Sequence, residues 1–157
     1  MASSYVLDCC AMLRGALDYS RGGYLLPRSV WGEVVDEMVR SQVASHVGEG
    51  NIELVSADQA DASSVREAAR LTGDLGRLSA SDLDVLAVAL GAGAIIISDD
   101  YAIQNVAKHL GLDYITTFHD GIRQERTYVW RCGGCGREGD APGVCGVCGH
   151  ELERVSV

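Results

Sequence analysis

Lysine is almost missing from this chain: Lys108 is the only one, set against twelve arginines, and the net charge is −9. That balance argues against a simple basic patch, because domains that hold nucleic acid by charge alone are usually basic. Long apolar runs are missing too. No segment approaches the roughly 18 uninterrupted apolar residues that mark a transmembrane helix, so no membrane association is expected. The start, MASSYVLDCC, lacks a basic stretch followed by an apolar run and does not read as a signal peptide. The expected compartment is cytoplasmic, where reduced cysteines serve metals or chemistry more often than disulfides. A glycine-rich phosphate loop is absent, which excludes the commonest route to nucleotide hydrolysis. Repeats and low-complexity tracts are absent as well.

The chain has 157 residues, 47% apolar and 22% charged, an ordinary globular balance. It has room for one self-sustaining core of about 120 residues and a small appendage. The C-terminal 30 or so residues are too few to fold by apolar burial and need a metal or another staple. Residues 1–126 carry a net −8 and residues 127–157 a net −1, so acidity is concentrated in the larger part. Either some carboxylates cluster to hold cations, or the acidic surface aids solubility.

Tyr5-Val6-Leu7 is a short apolar run ending on Asp8, which suits a buried strand with a carboxylate at its C-terminal edge. A helix follows over 9–19, and then a short strand, Tyr24-Leu25-Leu26, stopped by Pro27. Ser29 is placed to cap the next helix. Val30, Val34, Val35, Met38, Val39 and Val43 recur at helical spacing and predict one helix over 30–47. Residues 51–55 alternate as a half-buried strand does. Asp58 caps a helix to about Leu71. Ser79 and Asp82 have the spacing of a capping box, and that helix runs to about Leu90. Ala94-Ile95-Ile96-Ile97-Ser98 has the look of a central parallel strand. Asp99-Asp100 opens a helix to Leu110, and residues 114–117 form a last strand. Alternating strands and helices predict an α/β fold with a parallel sheet.

In such sheets, sites form beyond the carboxyl ends of the strands. Asp8 ends the first strand, Asp99 and Asp100 end the strand over 94–98, and Asp82 lies in the first turn of a helix leading into it. Glu37 sits mid-helix on a segment apolar along one face. Hard cations such as Mg²⁺ and Mn²⁺ take oxygen ligands of this kind. Each residue has a plainer role open to it. Asp82 can complement a helix dipole, Asp99 or Asp100 can cap a helix, and Glu37 can be a solvated surface residue. Asp8 is harder to assign that way, because an unpaired carboxylate at a buried strand end is costly. Asp18, Asp36, Asp58, Asp61, Asp74 and Asp120 read as turns, caps or surface. Cys9 and Cys10 read as small packing residues.

Cys132-x₂-Cys135 and Cys145-x₂-Cys148 form a C-x₂-C…C-x₂-C set, with Gly136 and Gly149 after each pair. Four thiolates suit a closed tetrahedral Zn²⁺ site with a structural role. An iron site or disulfides are the alternatives, and His150 reads as a spectator. Strands are expected over 128–131 and 151–155. Trp130 is either core or a stacking face for an unpaired base. Arg123, Arg126, Arg131, Arg137 and Arg154 offer phosphate contacts.

The segments YVLDCCAML, EVVDEM, LSASDLDVLAVAL and AIIISDDYAIQNVA, in that order over residues 5–117, resemble the PIN-domain family. More narrowly they resemble the ribosome-maturation endonucleases of the Nin-one-binding (NOB-one) family. The resemblance implies a PIN-like parallel sheet flanked by helices with a C-terminal small zinc ribbon. It divides the chain into a nuclease domain over 1–120, a linker over 121–127 and a ribbon over 128–157. It implies a catalytic set of Asp8, Glu37 rather than Glu33, Asp82 and Asp100, with Asp8, Asp82 and Asp100 on Mg²⁺ or Mn²⁺. Asp99, Asp84 and Ser98 are auxiliary, Ser98 standing where the family often has threonine. Cys132, Cys135, Cys145 and Cys148 hold structural Zn²⁺. Gly146 departs from the proline frequent after the third cysteine.

The implied activity is metal-dependent hydrolysis of precursor small-subunit (16S-type) rRNA near its 3′ end, by a metal-activated water attacking the phosphodiester in line. The implied partners are that rRNA, the pre-small ribosomal subunit and a KH-domain assembly factor. A toxin-like PIN RNase and a non-catalytic RNA-binding assembly factor are the alternatives. A phosphotransferase of the haloacid-dehalogenase kind would want D-x-D after its first strand, and here Cys9 and Cys10 follow Asp8.

Overall fold

The computed structural model describes residues 3–13, 17–116 and 128–156. The expected linker over 121–127, together with Arg123, Arg126 and Asp120, lies outside the described residues.

The α/β expectation is borne out by a five-stranded parallel sheet in the order β3-β2-β1-β4-β5. Its strands are β1 (Tyr5–Leu7), β2 (Tyr24–Pro27), β3 (Ile52–Val55), β4 (Ile95–Ile97) and β5 (Tyr114–Ile115). The most apolar runs take the middle. Val6, Leu7, Ile96 and Ile97 are buried in β1 and β4, which, like β2, have neighbours on both sides. The chain winds from β1 outward through β2 and β3, then returns to add β4 on the other side of β1. The β1/β4 boundary is therefore the switch point at which open α/β sheets leave a crevice.

Among the described residues six α-helices accompany the sheet: α1 (Cys9–Leu13), α2 (Arg28–Glu33), α3 (Glu37–Gly48), α4 (Gln59–Thr72), α5 (Ala80–Ala92) and α6 (Tyr101–His109). α5 is apolar nearly all round, and Leu83, Val85, Leu86, Ala87, Val88 and Ala89 are all buried. A helix with that pattern belongs inside, and α5 packs against α2, α4, α6, β1, β2 and β4. The Ser79–Asp82 capping box forms as its sequence predicts: Ser79 Oγ accepts from the Asp82 N–H, and Asp82 Oδ2 accepts from the Ser79 N–H. Asp58 caps α4.

Two expectations are corrected. Residues 30–47 are not one helix. α2 ends at Glu33, Val34 turns extended (φ −76°, ψ 112°), and Asp36 caps a separate α3 through the Val39 N–H. The adjacent β-branched Val34 and Val35 favour extended backbone, and the aspartate after them is a strong cap. The apolar stripe therefore breaks, and Val35 and Met38 are exposed. Ser29 is not a cap either. Pro27 stands at that position, and Ser29 turns its hydroxyl to Asp84 Oδ2 at 2.6 Å.

The C-terminal part is a three-stranded antiparallel sheet, β7-β6-β8, built from β6 (Tyr128–Cys132), β7 (Glu138–Gly139) and β8 (Leu152–Ser156). It lies against the larger domain at the turn after α4. Gly73 has a φ of +79°, and a Cβ there would sit 1.6 Å from the Tyr128 carbonyl oxygen. Only glycine permits both the conformation and the approach. Next to it, Asp74 is 1% exposed. Its carboxylate accepts from Thr72 Oγ1 at 2.8 Å, from Asn105 Nδ2 at 2.7 Å and from the Arg154 guanidinium of β8. The expectation that Asp74 is a surface or turn residue is thus corrected.

Candidate active site and metal centre

The register of β1 against β4 pairs Leu7 with Ile97, so the next residues, Asp8 and Ser98, emerge side by side at the crevice. Ser98 Oγ donates to Asp8 Oδ2 at 2.8 Å and accepts from the Asp100 N–H at 3.1 Å. The Cys9 N–H donates to Asp8 Oδ1 at 2.7 Å, and Cys10 Sγ donates to Asp8 Oδ2 at 3.3 Å. Burial pushes the Cys10 thiol up to about 11, so it stays protonated and able to donate. Gln104, fully buried in α6, donates through Nε2 to the Ser98 carbonyl at 2.8 Å and braces this strand end.

Asp8 itself is 7% exposed. Burial raises its pKa above the ordinary carboxylate value, hydrogen bonds from Ser98, Cys10 and the Cys9 backbone oppose the rise, and the Asp82 charge adds to it. Among the described residues no lysine or arginine pairs with Asp8. A buried carboxylate with neutral donors only, facing a second carboxylate, is chemically suited to a hard cation. Among the described residues, the carboxylate oxygens here do not close to within 4.8 Å in a group of three or more.

The residues expected here are placed as follows. Asp82 stands at the N-terminus of α5, close enough to act on Asp8. Asp100 caps α6, accepting from the Ala102 N–H at 2.8 Å. Asp99 is 8% exposed, with its backbone against Cys10. Asp84 is occupied with Ser29. Glu37 lies exposed in the first turn of α3, and among the described residues no hydrogen bond or ion pair joins it to the site. Glu33, at the end of α2 and also exposed, stands near enough to Cys9, the neighbour of Asp8, for its charge to act there. Its two oxygens accept from Ser81 Oγ at 3.0 and 2.9 Å. The family resemblance places the glutamate on Glu37, the last residue of EVVDE, four positions further along the chain.

The four cysteines come together. Their sulfurs lie within 4.8 Å of one another, the one such ligand group among the described residues. Cys132 and Cys148 Sγ are 3.2 Å apart, and Cys135 and Cys145 Sγ 3.6 Å. Sulfurs around a tetrahedral ion with bonds of roughly 2.3 Å stand close to that separation. The Gly134 and Cys135 amides donate to Cys132 Sγ, and amide and thiol hydrogen bonds pull its pKa down to about 6. This donor set fits a thiolate-bound metal. His150 Nδ1 lies 3.3 Å from Cys148 Sγ, packed on the knuckle. Of the expected phosphate contacts, Arg131 pairs with Glu138 and Arg154 with Asp74. Trp130 lies half-buried, its Nε1 beside Gly76 in the seam between the two parts.

The family described as "PIN domain of ribonuclease" matches residues 5–91, more than half of the chain and including Asp8, Glu33 and Asp82. This chain belongs to the PIN-domain ribonuclease family. Among its relatives, Endoribonuclease Nob1 of Pyrococcus abyssi is 36% identical over 153 residues, covering 96% of this chain and 92% of that protein. Endoribonuclease Nob1 of Archaeoglobus fulgidus is 40% identical over 124 residues, covering 76% and 74%. Ribonuclease VapC1 of Thermoplasma acidophilum is 38% identical over 151 residues, covering 96% and 77%. The chain is accordingly a nuclease. Among the described residues, no helix is long and apolar enough to cross a membrane.

Proposed function

We propose that this PIN nuclease is the endoribonuclease that cuts precursor small-subunit rRNA near its 3′ end, using Asp8, Glu33, Asp82 and Asp100 around Mg²⁺ or Mn²⁺. Glu33 takes the place expected of Glu37. The observation that carries the reading is Asp8, buried at the β1/β4 switch point without a cationic partner among the described residues, with Asp82 near enough for its charge to act on it. A divalent ion there supplies a Lewis acid for the phosphate and activates the attacking water. The protein's part is to hold Asp8 through Ser98, Cys10 and the Cys9 amide, and to hold Glu33 through Ser81. Asp99, Asp84 and Ser98 support that set. The four cysteines hold structural Zn²⁺, and the ribbon over 128–157 positions RNA. The same reading includes the pre-small subunit and a KH-domain assembly factor as partners.

A second reading is a toxin-like RNase, favoured by the likeness to Ribonuclease VapC1 over 96% of the chain. The test is incubation with an rRNA fragment spanning the mature 3′ end, with Mn²⁺ or EDTA, for the wild type and Asp82→Asn. A single metal-dependent cut, lost in Asp82→Asn, supports the rRNA reading. Scattered cuts across unrelated RNAs support the toxin-like one. Binding without cutting overturns both.

A further inference from the structure

The carboxylate of Glu33 rides on a helix that cannot hold itself. α2 has six residues, well below the length at which a helix is stable alone. Its position therefore has to come from outside contacts. On the side facing α5 there are two. Ser29 Oγ bonds Asp84 Oδ2 at 2.6 Å, and Glu33 receives Ser81 Oγ. Ser29 and Glu33 are one turn apart on α2, and Ser81 and Asp84 are one turn apart on α5, so the helices clasp antiparallel. Glu33 is the last residue of α2, and the chain turns away just beyond it at Val34, whose N–H reaches back to the Trp31 carbonyl at 3.3 Å.

That end is met by Arg40 from α3. Its Nη1 donates to the Trp31 carbonyl at 3.1 Å and to the Val34 carbonyl at 2.7 Å. Its guanidinium lies 4.2 Å from the centre of the Trp31 ring. One half-buried cation thus gathers two carbonyls flanking Glu33 and the ring two residues before it. We propose that Arg40 is a positioning residue for Glu33: by closing the broken junction between α2 and α3 it aims the Glu33 carboxylate at the catalytic cation. The inference rests on the reading of Glu33 as a ligand given above.

The test measures Mn²⁺ binding by calorimetry to the zinc-loaded full chain, for the wild type, Asp8→Asn, Glu33→Gln, Arg40→Gln and the double variant Glu33→Gln/Arg40→Gln. Charge-assisted hydrogen bonds of this kind predict that Arg40→Gln weakens Mn²⁺ binding roughly tenfold or more. The double variant binds no more weakly than Glu33→Gln, because Arg40 acts only through Glu33. A general loss of packing would not show that masking. Wild-type Mn²⁺ affinity in Arg40→Gln, or a further loss on top of Glu33→Gln, overturns the proposal. If Arg40→Gln does not fold, Arg40→Lys replaces it with the same two outcomes, since lysine keeps the charge but not the flat fork. Undiminished Mn²⁺ binding in Asp8→Asn overturns the metal site itself, and the proposal with it. Loss in Asp8→Asn without loss in Arg40→Gln overturns the role of Arg40 alone.

Discussion

Replacing Arg154 with methionine should destabilise the whole chain, not only the ribbon that carries it. Arg154 is the sole cation on Asp74 among the described residues, and Asp74 is 1% exposed. Thr72 and Asn105 would remain as donors to one oxygen, while the other would lose its partner. Methionine keeps much of the stem and its packing near the Tyr128 ring, over which the guanidinium now lies at 3.6 Å. The loss is therefore mainly of charge. Removing one partner of a buried pair costs roughly 3–5 kcal/mol. The Arg154 side chain retains 16% of its exposure, which points to the lower end of that range. For a chain of this size about 3 kcal/mol lowers the melting temperature by about 6–12 °C. The assay is thermal unfolding followed by circular dichroism with zinc bound. Adding Asp74→Asn should then recover part of the loss, because the stranded charge disappears. An Arg154→Met chain that melts with the wild type, or a double variant less stable than the single, would refute the reasoning.

Gly73→Ala should separate the ribbon from the core, because its Cβ would sit 1.6 Å from the Tyr128 carbonyl oxygen at a φ of +79°. Limited proteolysis cutting between the two parts, with a stability loss above the roughly 1 kcal/mol of an alanine at positive φ alone, checks this. Asp8→Asn should abolish cleavage yet raise the melting temperature in EDTA at neutral pH. Burial holds the pKa of Asp8 above its ordinary 3.8, so the fold loses stability as pH rises through the interval up to the raised value. Asparagine removes that cost, and the advantage should vanish at pH below 3.8; a variant no more stable than the wild type at neutral pH contradicts it. Cys132→Ser should lose the stoichiometric zinc measured by metal analysis. Because β6 and β8 carry Tyr128 and Arg154, it should also melt at least as early as Arg154→Met.

The sheet was legible because its signals are local. An apolar run ending on Asp8 predicted β1, alternation predicted β3, a β-branched run predicted β4, and the Ser79–Asp82 spacing predicted a cap that forms. The thiolate cluster was legible for the same reason, each pair lying within four residues. What failed depends on distance. Residues 30–47 read as one helix from their apolar spacing, and the cap at Asp36 shifts everything after it by an irregular junction. Asp74 looked like a turn residue because its partners, Asn105 and Arg154, are 31 and 80 positions away. No periodicity reports a contact of that range. Ser81 and Arg40 went unremarked for the same cause, since each matters only through the side chain or carbonyls it meets.

The committed arginines bear on how an acidic nuclease grips RNA. Arg21 is paired with Asp18, Arg70 with Glu67 and Asp140, Arg131 with Glu138 and Arg154 with Asp74, while Arg40 holds backbone carbonyls. Each of these side chains would have to give up a partner to meet a phosphate. With a net charge of −9, long-range attraction of a polyanion is not available either. On the proposed reading, one source of attraction is the β1/β4 crevice, where the carboxylates convert negative charge into bound divalent charge. Binding and chemistry then share one requirement: the same ion that activates the phosphate also makes the surface tolerable to it. The ribbon contact at Asp74 and the Glu33 contact at Ser81 flank the short connection from α4 to α5 that leads into Asp82.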